Sequence, residues 1–197
     1  MEARQSRSKN TVERILASVL VIYAEKGLKA VTHRAVAEHA GVSVSSTTRF
    51  FKSKPDLISK AYQWGVEKAR ARYASTAEEM DFGDKAELVQ YCRSVLGADL
   101  NDHAVSNLAW YHFLIESTRD PSLRPITVQS FSDMSLFWRD LARRSGIEDE
   151  TSIQTLLDYL IGEYYLVFAA SGSRSDEVGR AQRRVRRVAQ SIQASTS

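Results

Sequence analysis

From Val12 to Ile192 the apolar residues of this chain return at steps of three and four, and no stretch alternates apolar with polar at steps of two. Steps of two would line one face of a strand, whereas steps of three and four line one face of an α-helix. Only three prolines and nine glycines interrupt the 197 residues, so turns are few and helices have room to run. The chain is therefore read as all-α. At 43% hydrophobic and 26% charged, it carries enough apolar matter for a substantial core. Its single cysteine, Cys92, excludes an internal disulfide and a cysteine-rich zinc site, which points to a reducing, cytoplasmic setting. The polar start MEARQSRSKNTVERI leads into no signal-type apolar run. The most apolar stretches, 15–24 and 164–170, fall far short of a bilayer span, so no membrane partner is expected.

Local start and stop signals divide the first sixty residues. Asn10-Thr-Val-Glu13 has the form of a capping box, and behind it Val12, Ile15, Leu16, Val19, Ile22 and Tyr23 mark an amphipathic helix that ends at Gly27. Thr32 can cap a short helix over His33–Ala40, Gly41 supplies a turn, and Ser43 can cap a third helix through Phe51. Ser53-Lys-Pro-Asp56 starts a fourth that runs to about residue 78. Two short helices crossing at a glycine turn, Thr32–Phe51, have the layout of a helix-turn-helix. Charge agrees with that layout. Residues 1–60 hold eleven Lys/Arg against five Asp/Glu, while the rest of the chain has more acidic than basic residues. A basic head on a mildly acidic body suits a polyanionic partner for the head alone.

The stretch Thr32–Leu57, THRAVAEHAGVSVSSTTRFFKSKPDL, resembles the DNA-binding head of the TetR family of bacterial transcriptional regulators. The matching residues are Thr32, Val36-Ala37, the turn Ala40-Gly41-Val42-Ser43, Phe51, and Ser53-Lys54 followed by Asp56 and Leu57. The chain departs from the family at Ser45, where Gly is common, at Thr48, where an aromatic is common, at Phe50 and at Pro55. The resemblance implies a homodimer that places two copies of Ser43–Phe51 in successive major grooves of double-stranded operator DNA. It assigns base edges to Val44, Ser46, Thr47 and Arg49, with Arg49 suited to guanine and Val44 to a thymine methyl. Backbone anchoring falls to Thr32, His33, Ser43, Thr48 and Lys54, with Ser45 close to the phosphates.

The division that follows is a basic tail at 1–9, a helix-turn-helix domain at 10–56 and a helical effector-binding and dimerisation domain at 57–197. Within the body, Asp84-Lys-Ala-Glu87 is another capping box, a further helix begins near His103, and Asp120-Pro121 restarts the chain before a long helix that stops near Ser145-Gly146. Two last helices, Thr151–Ala170 and Ser175 to about Ala194, flank the turn Ser171-Gly-Ser173. In TetR-like proteins such a pair from each subunit forms a four-helix dimer interface. Leu156, Tyr159, Leu160, Tyr164, Val167, Val185, Val188 and Ile192 are the expected contacts, since the penultimate helix is apolar over a wide arc. The family also implies an effector pocket. Trp110, Tyr111, Phe131, Phe137, Trp138 and Tyr165 suit a small hydrophobic or aromatic molecule, with Asn107 and His112 among the polar groups that would orient it.

Chemistry of other kinds has little support. His33, His39, His103 and His112 show no HExxH or other close ligand spacing, and no G-x-S-x-G or P-loop occurs. No catalytic residue, metal site or cofactor is expected. The leading reading is a sequence-specific DNA-binding transcriptional regulator, a repressor released by an effector. Two alternatives stay open on sequence: an all-helical protein-interaction module that does not bind DNA, and a helical small-molecule carrier or enzyme.

Overall fold

Nine α-helices follow one another among the residues described in the computed structural model, which are 2–80, 82, 85–169 and 174–195, with side chains described from Ser8 onward except at 85, 174–175, 189 and 192–195. They are α1 (Glu2–Lys26), α2 (His33–Ala40), α3 (Val44–Phe50), α4 (Lys54–Glu78), α5 (Lys85–Asn101), α6 (Ala104–Arg119), α7 (Arg124–Arg144), α8 (Glu150–Ala169) and α9 (Arg174–Ser195). Short 3-10 turns, Leu28–Ala30 and Pro121–Leu123, lie between α1 and α2 and between α6 and α7. No strand occurs among the described residues. The all-α expectation holds.

α1 begins at Glu2 rather than at Asn10, which therefore lies inside a helix and caps nothing. Residues 2–9 are rich in Glu, Ala, Arg, Gln and Lys, all good helix formers, so the helix continues through them. Three later caps fall where their residues predict. Thr32 Oγ1 accepts from Ala35 N at 3.1 Å, Ser43 Oγ from Ser46 N at 3.2 Å, and Ser53 Oγ from Asp56 N at 3.3 Å. Asp120 and Asp149 accept from Ser122 N (2.9 Å) and Ser152 N (2.7 Å). The capping box at Asp84 and the turn at 171–173 lie outside the described residues.

The chain divides into two compact units, one ending at Ala69 and joined by Val105–Ser130, the other made of Arg70–Ala104 and the residues from Phe131 on. In the first, α1, α2, α4 and α6 share one core. Ile15, Val19, Val31, Val36, Leu57, Ala61, Ala109 and Phe113 are each 0–1% exposed. The rings of Tyr62 and Phe113 stack at 3.7 Å and 17°, a pairing that adds about 0.5–1.5 kcal/mol to their burial.

In the second unit α9 packs against α5 and α8. Leu88, Leu96, Leu100, Leu141, Ile153, Leu156, Ala181 and Val185 fill its centre. Gly97 lets α5 approach α9: a Cβ there would stand 2.7 Å from Gln182 Nε2, which donates to Arg93 O at 3.0 Å. Glu163, only 2% exposed, is held by two bonds from Arg184, Nε at 2.7 Å and Nη2 at 2.6 Å.

Candidate nucleic-acid interface

The turn between α2 and α3 is built from its carbonyls outward. Gly41 stands at φ 62, ψ 40, the left-handed conformation in which a side chain is strained. Its N–H bonds Glu38 O at 3.2 Å, and Val42 N bonds Ala37 O at 2.9 Å, which satisfies the last carbonyls of α2. α1 supplies a second set of bonds that the sequence analysis did not foresee. Arg14 donates to Ala40 O and, at 3.3 Å, to Gly41 O, while one turn further on Ser18 Oγ meets His39 Nδ1 at 2.9 Å. Guanidinium and hydroxyl together grip the C-terminus of α2. The only sequence trace of this is an arginine and a serine four apart on the first helix.

α3 leaves this turn with its polar face to water. Ser43, Val44, Ser45, Thr48 and Arg49 are exposed, and Ser46 is half-buried. Ser43 Oγ lies 2.9 Å from both Ser45 Oγ and Ser46 Oγ. Thr48 Oγ1 bonds back to Val44 O and Ser45 O at 3.3 Å. The Arg49 guanidinium lies over the Phe50 ring, 4.5 Å from its centroid.

One expected base contact is overturned. Thr47 is 0% exposed, its Oγ1 donating to Val44 O at 2.8 Å and lying 3.3 Å from His33 Nδ1. It sits on the side of α3 that faces α2, so it seats the helix and cannot reach a base. Thr32 is exposed and His33 half-buried beside Thr47. Lys54 has one donor committed elsewhere, Nζ to Leu28 O at 2.7 Å. Exposed cations around α2 and α3 include Arg14, Arg34 and Lys52. Of the two nearest acids in sequence, Glu38 is exposed on α2, while Asp56 is neutralised locally: bonds from the Lys60 side chain and the Lys52 N–H hold its carboxyl below the usual range.

The residues expected to line an effector pocket divide between the two units. Asn107, Trp110, Tyr111 and His112 lie on α6 in the first unit. There Trp110 and Tyr111 meet edge to face at 5.0 Å, and His112 lies against Tyr23, 6.0 Å between rings. Phe131, Phe137, Trp138 and Tyr165 belong to the second unit. Of these, Phe137 and Trp138 cluster with Tyr73 and Tyr91. Tyr165 is 57% exposed and Phe131 37%, so neither is walled in.

One member of that ring cluster, Tyr73, bonds a buried carboxylate that sequence alone does not single out. Asp99 on α5 is 0% exposed. Its Oδ1 accepts from Arg72, and its Oδ2 accepts from the hydroxyls of Tyr73 and, at 2.6 Å, Tyr164. Burial and the neighbouring carboxylate push the Tyr73 phenol well above its ordinary range, which keeps its proton in place to donate.

The expected dimer contacts also sort differently. Leu156, Leu160, Val167 and Val185 are buried within the chain itself, at 3%, 4%, 5% and 0% exposure, because they pack α8 and α9 into their own unit. Tyr159, Tyr164 and Val188 are half-buried, and the side chain of Ile192 lies outside the described residues. The apolar row that α8 leaves uncovered is Ile161, Gly162, Tyr165, Leu166 and Ala169, all exposed. Cys92 is 1% exposed and burial pushes its thiol up to about 12, as suits a packing residue. Among the described residues no group of three or more His, Cys, Asp or Glu is placed to hold a metal, and no helix is long and apolar enough to cross a membrane.

Comparison with known proteins agrees along almost the whole chain. Residues 15–61 match the model for bacterial regulatory proteins of the tetR family, and residues 83–191 match that for the tetracyclin repressor-like C-terminal domain. A member of the TetR family from Streptomyces coelicolor A3 is 24% identical, with a TM-score of 0.70 over 90% of this chain and 97% of that one. A protein from Saccharomonospora viridis, solved in complex with choline, is 16% identical with a TM-score of 0.75, covering 89% of this chain and 93% of that one. The multidrug binding protein EbrR complexed with ethidium is 25% identical with a TM-score of 0.64, covering 90% and 98%. No curated protein matches the sequence. With a helix-turn-helix whose outer face is polar and basic, and with family models matching both its head and its body, the chain belongs to the tetR family of DNA-binding bacterial regulatory proteins.

Proposed function

We propose that this regulator acts as a homodimeric repressor that grips operator DNA through α3 of each copy and releases it when a small organic effector binds the body. The carrying observation is α3 itself. It is capped at Ser43, seated by Thr47, and turns Val44, Ser45, Thr48 and Arg49 outward from a segment, 41–51, that contains no acidic residue. Arg49 reads a guanine, Val44 a thymine methyl and Ser46 a further base edge, while Ser43, Ser45, Thr48, Thr32, His33 and the free donors of Lys54 hold phosphates. Residues 10–56 read DNA and 57–197 carry the effector and dimer contacts. Pairing through the uncovered row of α8 buries Ile161, Tyr165 and Leu166 in a second copy. That relatives have been solved with choline and with ethidium supports an organic molecule as the signal.

Gel shift and footprinting on the DNA upstream of the protein's own gene test the reading. The expected footprint is two half-sites about one helical turn apart, lost on scrambled sequence and weakened by salt. Equal affinity for matched and scrambled duplexes would refute it.

A further inference from the structure

Asp99 is costly where it stands. An ionised carboxylate buried without partners is penalised by several kcal/mol, and this one is 0% exposed on a helix whose neighbouring Val95, Leu96 and Leu100 are apolar and buried. Three donors from two other helices offset that cost: Arg72 and Tyr73 of α4, and Tyr164 of α8. Tyr73 belongs in turn to a cluster of rings. Tyr73 lies 6.3 Å from Phe137 and 6.2 Å from Trp138, and Tyr91 lies 5.4 Å from Trp138.

The three donors are not alike. The Tyr73 phenol is fixed inside the ring cluster, whereas Arg72 reaches in from the surface. The Arg72 side chain remains 27% exposed, and its guanidinium lies over the Tyr73 ring at 5.1 Å from the centroid. A planar, delocalised cation stacked on an aromatic and paired with a carboxylate is what an organic-cation ligand looks like to its site. Here the chain supplies that cation from its own α4, and the guanidinium can withdraw to water without any helix unfolding.

We propose that Asp99 is the recognition carboxylate for an organic-cation effector, which binds by displacing the Arg72 guanidinium from Asp99 and from the Tyr73 ring. This rests on the effector reading given above and names the effector's class. A neutral aromatic molecule cannot take the same place at the same cost, because moving Arg72 would leave the buried carboxylate without the cation that balances its charge. Regulation follows from the displaced group. Arg72 belongs to α4, which starts at Lys54 just after the recognition helix. Effector and α4 compete for one carboxylate, so binding removes a tie between α4 and α5.

Fluorescence titration of the full-length chain with ethidium, and with the neutral probe N-phenyl-1-naphthylamine, tests this on wild type, R72A and D99N. Circular dichroism reads the folding of each variant. R72A, freed of its internal competitor, is expected to bind ethidium about tenfold tighter or more, and ethidium is expected to raise its melting temperature more than that of wild type. Folded D99N is expected to bind ethidium about tenfold more weakly or worse. The neutral probe should respond to neither change. A loosened core would take up the neutral probe as well, so tightening of ethidium alone in R72A decides the matter even if D99N does not fold. R72A binding no tighter than wild type, or folded D99N binding equally well, overturns the proposal. If ethidium binds as expected yet leaves operator complexes intact, the site stands and the effector reading falls. If a neutral compound releases operator while ethidium ignores both wild type and R72A, the cation proposal falls and the effector reading stands.

Discussion

Thr47 and Arg49 stand two positions apart on α3, one fully buried and one exposed, and substitution separates their roles. Thr47→Val keeps the volume and removes a hydroxyl bonded to Val44 O, so about 1–2 kcal/mol of stability goes with it while operator preference is unchanged. Arg49→Ala leaves folding intact and costs about 1–3 kcal/mol on matched operator, with a far smaller loss on scrambled DNA. Denaturant melts and salt-controlled gel shifts on the two variants measure both; equal losses on both DNAs for Arg49→Ala would reduce it to a phosphate contact. Gly41 makes a third case. An added Cβ at φ 62 meets Arg14 Nη2 at 3.0 Å, so Gly41→Ala costs about 1–2 kcal/mol from the backbone alone and disturbs the bonds that Arg14 makes to α2. The glycine was legible in the sequence. The arginine's partner was not, because it lies 26 positions away.

At the level of elements, helix starts were the most readable feature, since a cap and the amide it serves lie within three residues of each other. Asp56, Asp120 and Asp149 each have a carboxyl held below its ordinary range, the first by the Lys60 ammonium and the Lys52 N–H, the others by serine donors two or three residues on. A depressed folded-state pKa contributes stability above the unfolded value and loses it as pH falls through the folded one. The melting temperature should therefore drop as pH falls below about 4, and the Asp→Asn triple variant should show a shallower drop. A slope identical to wild type would mean these caps add nothing. Which side of a helix faces inward was harder to read. α6 offers apolar residues around much of its girth, so periodicity could not say that Ala109 and Phe113 join the core of α1, α2 and α4. Nor does periodicity pair Glu163 of α8 with Arg184 of α9, which takes both its oxygens from 21 positions away.

For the molecule as a whole, assembly is the property that one chain's interior leaves open. Of the α8 residues expected at a dimer interface, Leu156, Leu160 and Val167 are spent on the chain's own core. The row that remains is Ile161, Tyr165 and Leu166, at 36%, 57% and 52% exposure. Leu166→Glu places a charge on that row without touching the core. Sedimentation should then report a monomer, and operator affinity should fall by about two orders of magnitude or more as the avidity of two linked heads is lost. A dimer that persists in this variant would move the interface elsewhere.

What the sequence determined by itself was local: the nine helices among the described residues, most of the caps it could be tested on, the left-handed glycine at the turn and the helix-turn-helix layout. Each of these depends on contacts within about one helical turn. Only the tertiary structure decided the rest. It buried Thr47, gave Arg14 the end of α2, turned Tyr165 outward, and gathered Arg72, Tyr73 and Tyr164 on Asp99 from 27, 26 and 65 positions away. Periodicity marks the apolar faces of a helix, but where more than one face is apolar the choice belongs to whichever neighbour packs there, and a buried charge takes its partners from whatever that packing brings within reach.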